Sequence, residues 1–464
     1  MPPVSAERHR RVPRNHRPAI FVRNAKERLI ERLDPRLAPL TKKLAFAMFS
    51  GNRYAWLRWL PGLPARLGGW SRTPVWDDAS TETPPALRSY PGTRIDPEGE
   101  ARAYAERPLH SFTRTHSESV MWALERAWPW MLLTYPRFVA GLRALHRAAD
   151  ALTAGEPLVT DPDELATLVR DEARRIGISD VGFTAADPKY TFGEYPAPEP
   201  DDTIIVCVME QDWAATQTAP SSKAERAAFR SYGELFPKVA ALVEYLKGLG
   251  YETRSTDAFS LEGIAIHYGV QAGLGQLGLN GQLLTRVSGS RSRIALITTK
   301  APIRHGAPVD HGIPALCDAC QLCVRRCPPG AIPKTRRDKR GVLKAAIKPE
   351  RCFPILAQTH GCAVCIKVCP VQRYGLDAVK DHYARTGAVL GKGTPELETY
   401  VWPLDGRAYG PGEKPPMSGK LINPPGWPFD KNAYKPLPGE VGADGAAPAD
   451  GVWAGGGASN QQMR

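Results

Sequence analysis

Apolar positions recur at helical spacing from residue 19 to about 49, where Ile20, Ala25, Leu29, Ile30, Leu33, Leu37, Leu40 and Leu44 share a face against Arg and Lys, with Pro35 and Pro39 breaking the run. A second helical pattern over 119–152 carries Trp122, Trp128 and Trp130. From Asp163 the pattern changes to alternating helices and strands. Asp163-Glu164 opens a helix with Leu165, Leu168, Val169, Ala173 and Ile176 on its apolar face, ending before Gly177. Strands are predicted at Asp180–Thr184 and at Thr203–Met209, the latter apolar enough for burial on both faces. A long helix is expected over Ser222–Gly248, interrupted near Pro237, then strands at Tyr251–Ser255 and Ser292–Thr299. Cys207, among Ile204, Ile205, Val206 and Val208, reads as a core thiol.

Eight of the nine cysteines fall in one stretch, Cys317-x2-Cys320-x2-Cys323-x3-Cys327-Pro328, then Cys352, then Cys362-x2-Cys365-x3-Cys369-Pro370. In a bacterial two-cluster ferredoxin such a run gives three thiolates to one [4Fe–4S] cluster and the fourth to the other. That spacing assigns Cys317, Cys320, Cys323 and Cys369 to the first cluster and Cys327, Cys352, Cys362 and Cys365 to the second. Pro328 and Pro370 follow the crossing cysteines, where a fixed φ and a missing N–H suit a sharp exit from the loop. Structural zinc fits poorly, because zinc ribbons separate two CxxC pairs by about 15–20 residues, whereas here three cysteines crowd one loop. A disulfide framework is disfavoured in a chain this long with no secretory signal.

Composition adds the domain plan. A chain of 464 residues, 42% hydrophobic and without an apolar run of spanning length, reads as two to four globular domains. Residues 1–72 hold 16 Lys and Arg against 4 Asp and Glu, a surplus of 12 that nearly accounts for the net charge of +13. The basic balance therefore belongs to an arm, and a general nucleic-acid-binding surface is not implied. Arg10-Arg11 lacks the apolar stretch of an export signal, and reduced thiolates without a leader point to the cytoplasm. The arm and Tyr54, Trp56, Trp59, Trp70 and Trp76 are expected to pack on the core or on a partner subunit, with a peripheral membrane contact as the alternative. The fold expected is α+β. A disordered basic arm (1–18) and a helical, Trp-rich region (19–155) precede an α/β domain (156–305) and a two-cluster ferredoxin-type domain (306–390). A Pro/Gly-rich tail (391–464) follows, disordered beyond Gly439.

Between the long helix and the clusters lies Gln271-Ala-Gly-Leu-Gly-Gln-Leu-Gly-Leu-Asn-Gly281, whose glycines bring bare backbone close to a neighbour. It matches GxGxxG in letters, but a helix rather than a strand is predicted before it, so a nicotinamide site is rejected. This loop, then Gly289-Ser-Arg291-Ser-Arg293, then the paired cysteine runs, resembles in order the cobalamin-dependent reductive dehalogenases and their relatives, the epoxyqueuosine reductases. The resemblance covers roughly residues 160–375. It implies a nitroreductase-like α/β domain holding cobalamin, with Gly273, Gly275, Gly278, Asn280 and Gly281 at the corrin ring and a neighbouring cluster supplying electrons. It further implies Tyr232, on the long helix, as proton donor, and Arg291 as the basic residue that stabilises its phenolate. The sequence departs from the family pattern at Gly233, Leu235 and Leu279.

The resemblance thus predicts an oxidoreductase that cleaves a carbon–halogen or similar bond in a small organic substrate, fed by a ferredoxin or flavodoxin. Two alternatives stand beside it: an epoxyqueuosine-type reductase acting on tRNA, and an iron–sulfur electron-transfer subunit. Tyr232 and a tail without helical-repeat period disfavour the first, and about 150 residues of α/β sequence ahead of the clusters disfavour the second.

Overall fold

The computed structural model describes residues 155–422 except 188–189, 191–201, 256–262, 340–341 and 346, with isolated positions between 98 and 148. The basic arm, the helical run over 19–49, the named tryptophans up to Trp130 and everything beyond 422 lie outside the described residues. Helix α1 (Pro162–Ile176) starts one residue before the expected Asp163. Asp161 caps it by accepting from the Asp163 and Glu164 N–H groups, and Gly177 closes it in the left-handed conformation. Strands β1 (Asp180–Ala185) and β2 (Thr203–Glu210), the short helix α2 (Trp213–Thr216), the long helix α3 (Ser222–Gly248) and strand β3 (Thr253–Ser255) follow. Then come α4 (Ala265–Gln271), the hairpin β4 (Gly275–Leu277) and β5 (Leu283–Thr285), and β6 (Ser292–Thr299).

The sheet runs β1-β2-β6-β3 and every pairing in it is antiparallel. Ile205, Cys207 and Met209 of β2 and Ala295 and Ile297 of β6 face one layer, formed by α1 and α3, whose Leu165, Val169, Leu235, Phe236, Val239 and Val243 complete the main core. Ile204, Val206, Val208 and Leu296 face the other way, onto Ala265 and Tyr268 of α4. Burial on both faces explains the unbroken apolar run of β2. Cys207 lies fully inside this core, its thiol pushed up to about 12 by burial. The expected break at Pro237 does not occur, because α3 is continuous and Pro237 lies on its exposed side. Leu235, Phe236, Val239 and Ala240 hold the buried side in register.

The cysteine stretch folds as α5 (Ile313–Cys320), α6 (Leu322–Arg326), the hairpin β7 (Arg337–Lys339) and β8 (Val342–Lys344), α7 (Pro349–Gln358), α8 (Val364–Lys367), α9 (Pro370–Tyr374) and α10 (Leu376–Thr386). The expectation of a tail from 391 is corrected. Residues 391–422 form α11 (Pro395–Glu398), a two-stranded β9 (Tyr400–Val401) and β10 (Ala408–Tyr409), and α12 (Gly419–Ile422). Leu397, Tyr400, Trp402, Tyr409, Met417 and Ile422 share a core with Ile313, Leu316, Cys320, Val364 and Cys369. Proline and glycine mislead here because the strap is held from outside. Buried Arg326 donates to the carbonyls of Glu398 (3.1 Å), Tyr409 (2.9 Å) and Glu413, and buried Lys367 donates to that of Leu397 (2.6 Å). Among the described residues no helix is long and apolar enough to cross a membrane.

Candidate functional site

The cysteine loops are built on strained backbone. Gln321, between α5 and α6, and His360, Cys362 and Ala363, ahead of α8, all have positive φ without being glycine. Such conformations persist only where the surroundings impose them, and they gather at sites that must aim side chains. Cys317, Cys320, Cys323 and Cys369 all line one cavity, walled by Leu279, Asn280, Leu284, Leu316, Gln321, Leu322, Pro370 and Val371. Cys327 packs with Val324, Ala331, Ile332 and Ala345, and Cys352 and Cys365 pack against the same group. The sulfurs act on one another in corresponding sets: Cys317 is influenced by Cys369 and Cys320, and Cys365 by Cys362, Cys327 and Cys352. Cys323 and Cys365 link the two sets.

Burial pushes the Cys320 thiol up to about 11 and the Cys362 thiol up to about 12, and it raises Cys317, Cys323, Cys327, Cys365 and Cys369 as well. Thiolates this enclosed and this close to one another need positive charge among them, which an iron–sulfur cluster supplies. Backbone donors are already in place. Ala331 N–H meets Cys327 Sγ at 3.3 Å, and Cys369, at the head of α9, is favoured as a thiolate by the Val371 and Gln372 N–H groups. Pro370 at the first position of α9 costs nothing, since that N–H has no helical partner, and the next two are free to face the sulfur. The donor set therefore fits two iron–sulfur clusters.

The glycine-rich segment is the β4–β5 hairpin, and it roofs the first cavity. Leu279 and Asn280 line that cavity, the Leu279 N–H favours a Cys317 thiolate, and Asn280 Nδ2 donates to the Cys365 carbonyl at 3.4 Å. Its bare backbone is filled by the chain itself. A Cβ at Gly275 would fall 2.2 Å from the Leu284 carbonyl oxygen, at Gly273 2.7 Å from the Ala307 oxygen, at Gly278 2.2 Å from Leu284 Cδ1 and at Gly281 2.7 Å from Ile347 Cδ1. On the Cβ side of each of these glycines the near neighbour is thus the chain itself.

Tyr232 lies half-buried on α3, stacked on Phe236 with ring centroids 5.7 Å apart. The guanidinium over its ring, 5.6 Å from the centroid, belongs to Arg293 and not to Arg291. Burial pulls Arg293 below the ordinary guanidinium value, with Tyr232 opposing the shift. Arg293 Nη2 also donates to Gln211 Oε1 at 2.5 Å, and Gln211 Nε2 donates to Thr216 Oγ1 at 3.0 Å. Arg291 is occupied elsewhere: Nη1 donates to the Gln211 carbonyl (2.7 Å) and to Glu210 Oε2 (3.3 Å), and Nε to the Gln372 carbonyl (3.3 Å). The expected pairing of Arg291 with Tyr232 is thus corrected by two residues. Arg293 lies within β6 on the face of Ala295 and Ile297 that packs on α3, whereas Arg291 precedes the strand, which begins at Ser292.

Comparison with known proteins agrees with this arrangement. Residues 316–373 match the 4Fe-4S dicluster domain. A tetrachloroethene reductive dehalogenase of Desulfitobacterium hafniense is 31% identical over 150 residues, covering 32% of this chain and 26% of the relative. One from Sulfurospirillum multivorans is 26% identical over 259 residues, covering 46% and 51%. The chain thus spans between a quarter and about half of these relatives' length. Epoxyqueuosine reductases also match, at 27% identity over 152 residues and 30% over 116. The fold is similar to that of a catabolic reductive dehalogenase, NpRdhA, solved with 3-bromo-4-hydroxybenzoic acid, at a TM-score of 0.52 and 19% identity over 68% of this chain and 47% of that one. In sequence this chain is thus similar to the reductive dehalogenases and, beyond them, to the epoxyqueuosine reductases, it carries a 4Fe-4S dicluster domain, and its fold resembles that of a reductive dehalogenase.

Proposed function

We propose that the protein is an iron–sulfur- and corrinoid-dependent oxidoreductase that reductively cleaves a carbon–halogen or comparable bond in a small organic substrate. One observation carries the reading: a cysteine-lined cavity and the further cysteines packed beside it share a fold with a half-buried tyrosine that has a guanidinium over its ring. A plain electron carrier would need the first feature and not the second. Cys317, Cys320, Cys323 and Cys369 would hold one cluster and Cys327, Cys352, Cys362 and Cys365 the other, at residues 306–390. The antiparallel domain at 156–305 would be the nitroreductase-like unit for the corrinoid. The corrinoid rests on the family resemblance, with Gly273, Gly275, Gly278, Asn280 and Gly281 as the segment that would lie at the ring. When bound, it supplies the metal-centred reductive cleavage.

The chain's own part in the chemistry is to hold and deliver a proton. Tyr232 Oη would be the donor, and Arg293 would stabilise the phenolate left behind, as an opposite charge favours an ionised form. Burial strengthens that attraction by keeping water from screening it. Arg291 would support the site indirectly, tying the end of β2 to the turn after Cys369. An external ferredoxin or flavodoxin would supply electrons. Anaerobically reconstituted protein should contain about eight irons and one corrinoid per chain and dehalogenate a halogenated aromatic or alkene. Full iron with no retained corrinoid would reduce the protein to an electron carrier, and turnover of a tRNA epoxide instead would move it to the other branch of the family.

A further inference from the structure

The loop joining β5 to β6 crosses from the α/β domain onto the turn that follows Cys369, and the approach is tight. Gly289 has φ +53°, and a Cβ there would fall 2.5 Å from the Gln372 nitrogen and 2.9 Å from the Val371 carbonyl carbon. Arg291 Nε donates to the Gln372 carbonyl at 3.3 Å, and from α2 Trp213 Nε1 donates to the Arg373 carbonyl at 3.0 Å. Between these anchors sits Ser290, 1% exposed, whose Oγ has no hydrogen-bond partner. Its two chain neighbours, Gly289 and Arg291, both touch the segment that follows Cys369, which leaves the Cys369 sulfur as the group beside the hydroxyl. A hydroxyl buried without a partner is costly, and most such groups in folded proteins find one. A thiol is a weak acceptor, while an iron-bound thiolate carries negative charge and makes a stronger one.

We propose that the Ser290 hydroxyl donates to the Cys369 thiolate and so sets, from within the α/β domain, the reduction potential of the cluster that Cys369 holds. The inference rests on the assignment of Cys369 as a cluster ligand made above. A donor to a ligand sulfur stabilises negative charge, and reduction adds negative charge to the cluster, so the bond favours the reduced state. Ser290 is a tuning residue, and it would match this cluster's potential to a neighbouring acceptor through a contact made outside the cysteine domain.

The test is a redox titration of the anaerobic holoprotein followed by electron paramagnetic resonance, on the native chain and on Ser290→Ala, Ser290→Thr and Ser290→Val. Threonine and valine have nearly the same shape and differ in the hydroxyl. The midpoint of one cluster should fall in the alanine and valine variants and stay near native in threonine, with the other cluster unmoved. Equal midpoints in all four proteins, or equal shifts in threonine and valine, would overturn the proposal. Cluster loading lost in alanine and valine but kept in threonine would support it, since the hydroxyl would then be holding the ligand. Loading lost in all three variants would assign the site to shape and overturn it. Failure of the native chain to take up iron is a different result, and refutes the ligand assignment itself.

Discussion

At the scale of single residues the proposed proton donor, Tyr232, is the sharpest target. Tyr232→Phe keeps the stack on Phe236 and removes only the hydroxyl. Turnover should fall by about 10²–10⁴-fold, the usual scale of general acid catalysis, with iron content and visible spectrum unchanged. Near-native turnover would assign the proton to another group. Arg293→Met and Arg291→Met separate two roles that their near-adjacency in sequence conceals. The first should slow turnover with iron content unchanged, and combined with Tyr232→Phe it should cost much less than the two single losses together, because the pair acts as a unit. The second removes donors from Glu210, Gln211 and Gln372. It should lower stability by about 1.5–3 kcal/mol, as expected for buried hydrogen bonds to a charged group, measured by denaturant unfolding of the apoprotein. If Arg291→Met slows turnover as much as Arg293→Met at native stability, the roles are reversed.

At the scale of elements the strap over 391–422 behaves as part of the cluster domain. Trp402 is 1% exposed and lies in the same core as Cys320 and Cys369. Trp402→Ala should destabilise by about 3–5 kcal/mol and speed loss of iron to a chelator, followed by bleaching of the cluster absorbance. Unchanged bleaching would show that the strap covers the domain without protecting it. Secondary structure in the α/β domain was legible beforehand at Thr203–Met209, Ser222–Gly248 and Ser292–Thr299, each observed within a residue, because long apolar runs and a continuous amphipathic face are local signals. The strap was not legible. Its order comes from Arg326 and Lys367, distant residues whose donors find its carbonyls, and no local pattern of proline and glycine records that.

At the scale of the whole molecule, the sheet domain and the cysteine domain are joined by side-chain bonds as well as by the chain. Trp213, Gln217 and Arg291 all reach the turn at Gln372–Arg373. If residues 19–76 serve as a membrane-surface anchor, deleting residues 1–76, outside the described part, should leave both clusters loaded, with iron content and paramagnetic spectra near native. Loss of iron on deletion would show that the basic arm packs on the core. If that segment binds an anionic surface, deletion should also abolish co-sedimentation with acidic vesicles.

The sequence by itself determined the cysteine inventory and the order of elements. Cysteine spacing within a tight loop limits which sulfurs can share a cluster, and hydrophobic periodicity is written into neighbouring residues. Only the tertiary structure decided which arginine faces Tyr232. Arg291 and Arg293 are separated by one serine, and what tells them apart is the carbonyls of Gln211 and Gln372 around the first and the packing of α3 on β6 around the second. The same holds for the glycines of the β4–β5 hairpin. Sequence shows that something must approach them closely, and the fold shows that at Gly273 and Gly275 it is the backbone of Ala307 and Leu284. A close approach has a local cause, the missing Cβ, but its partner is chosen by segments far along the chain.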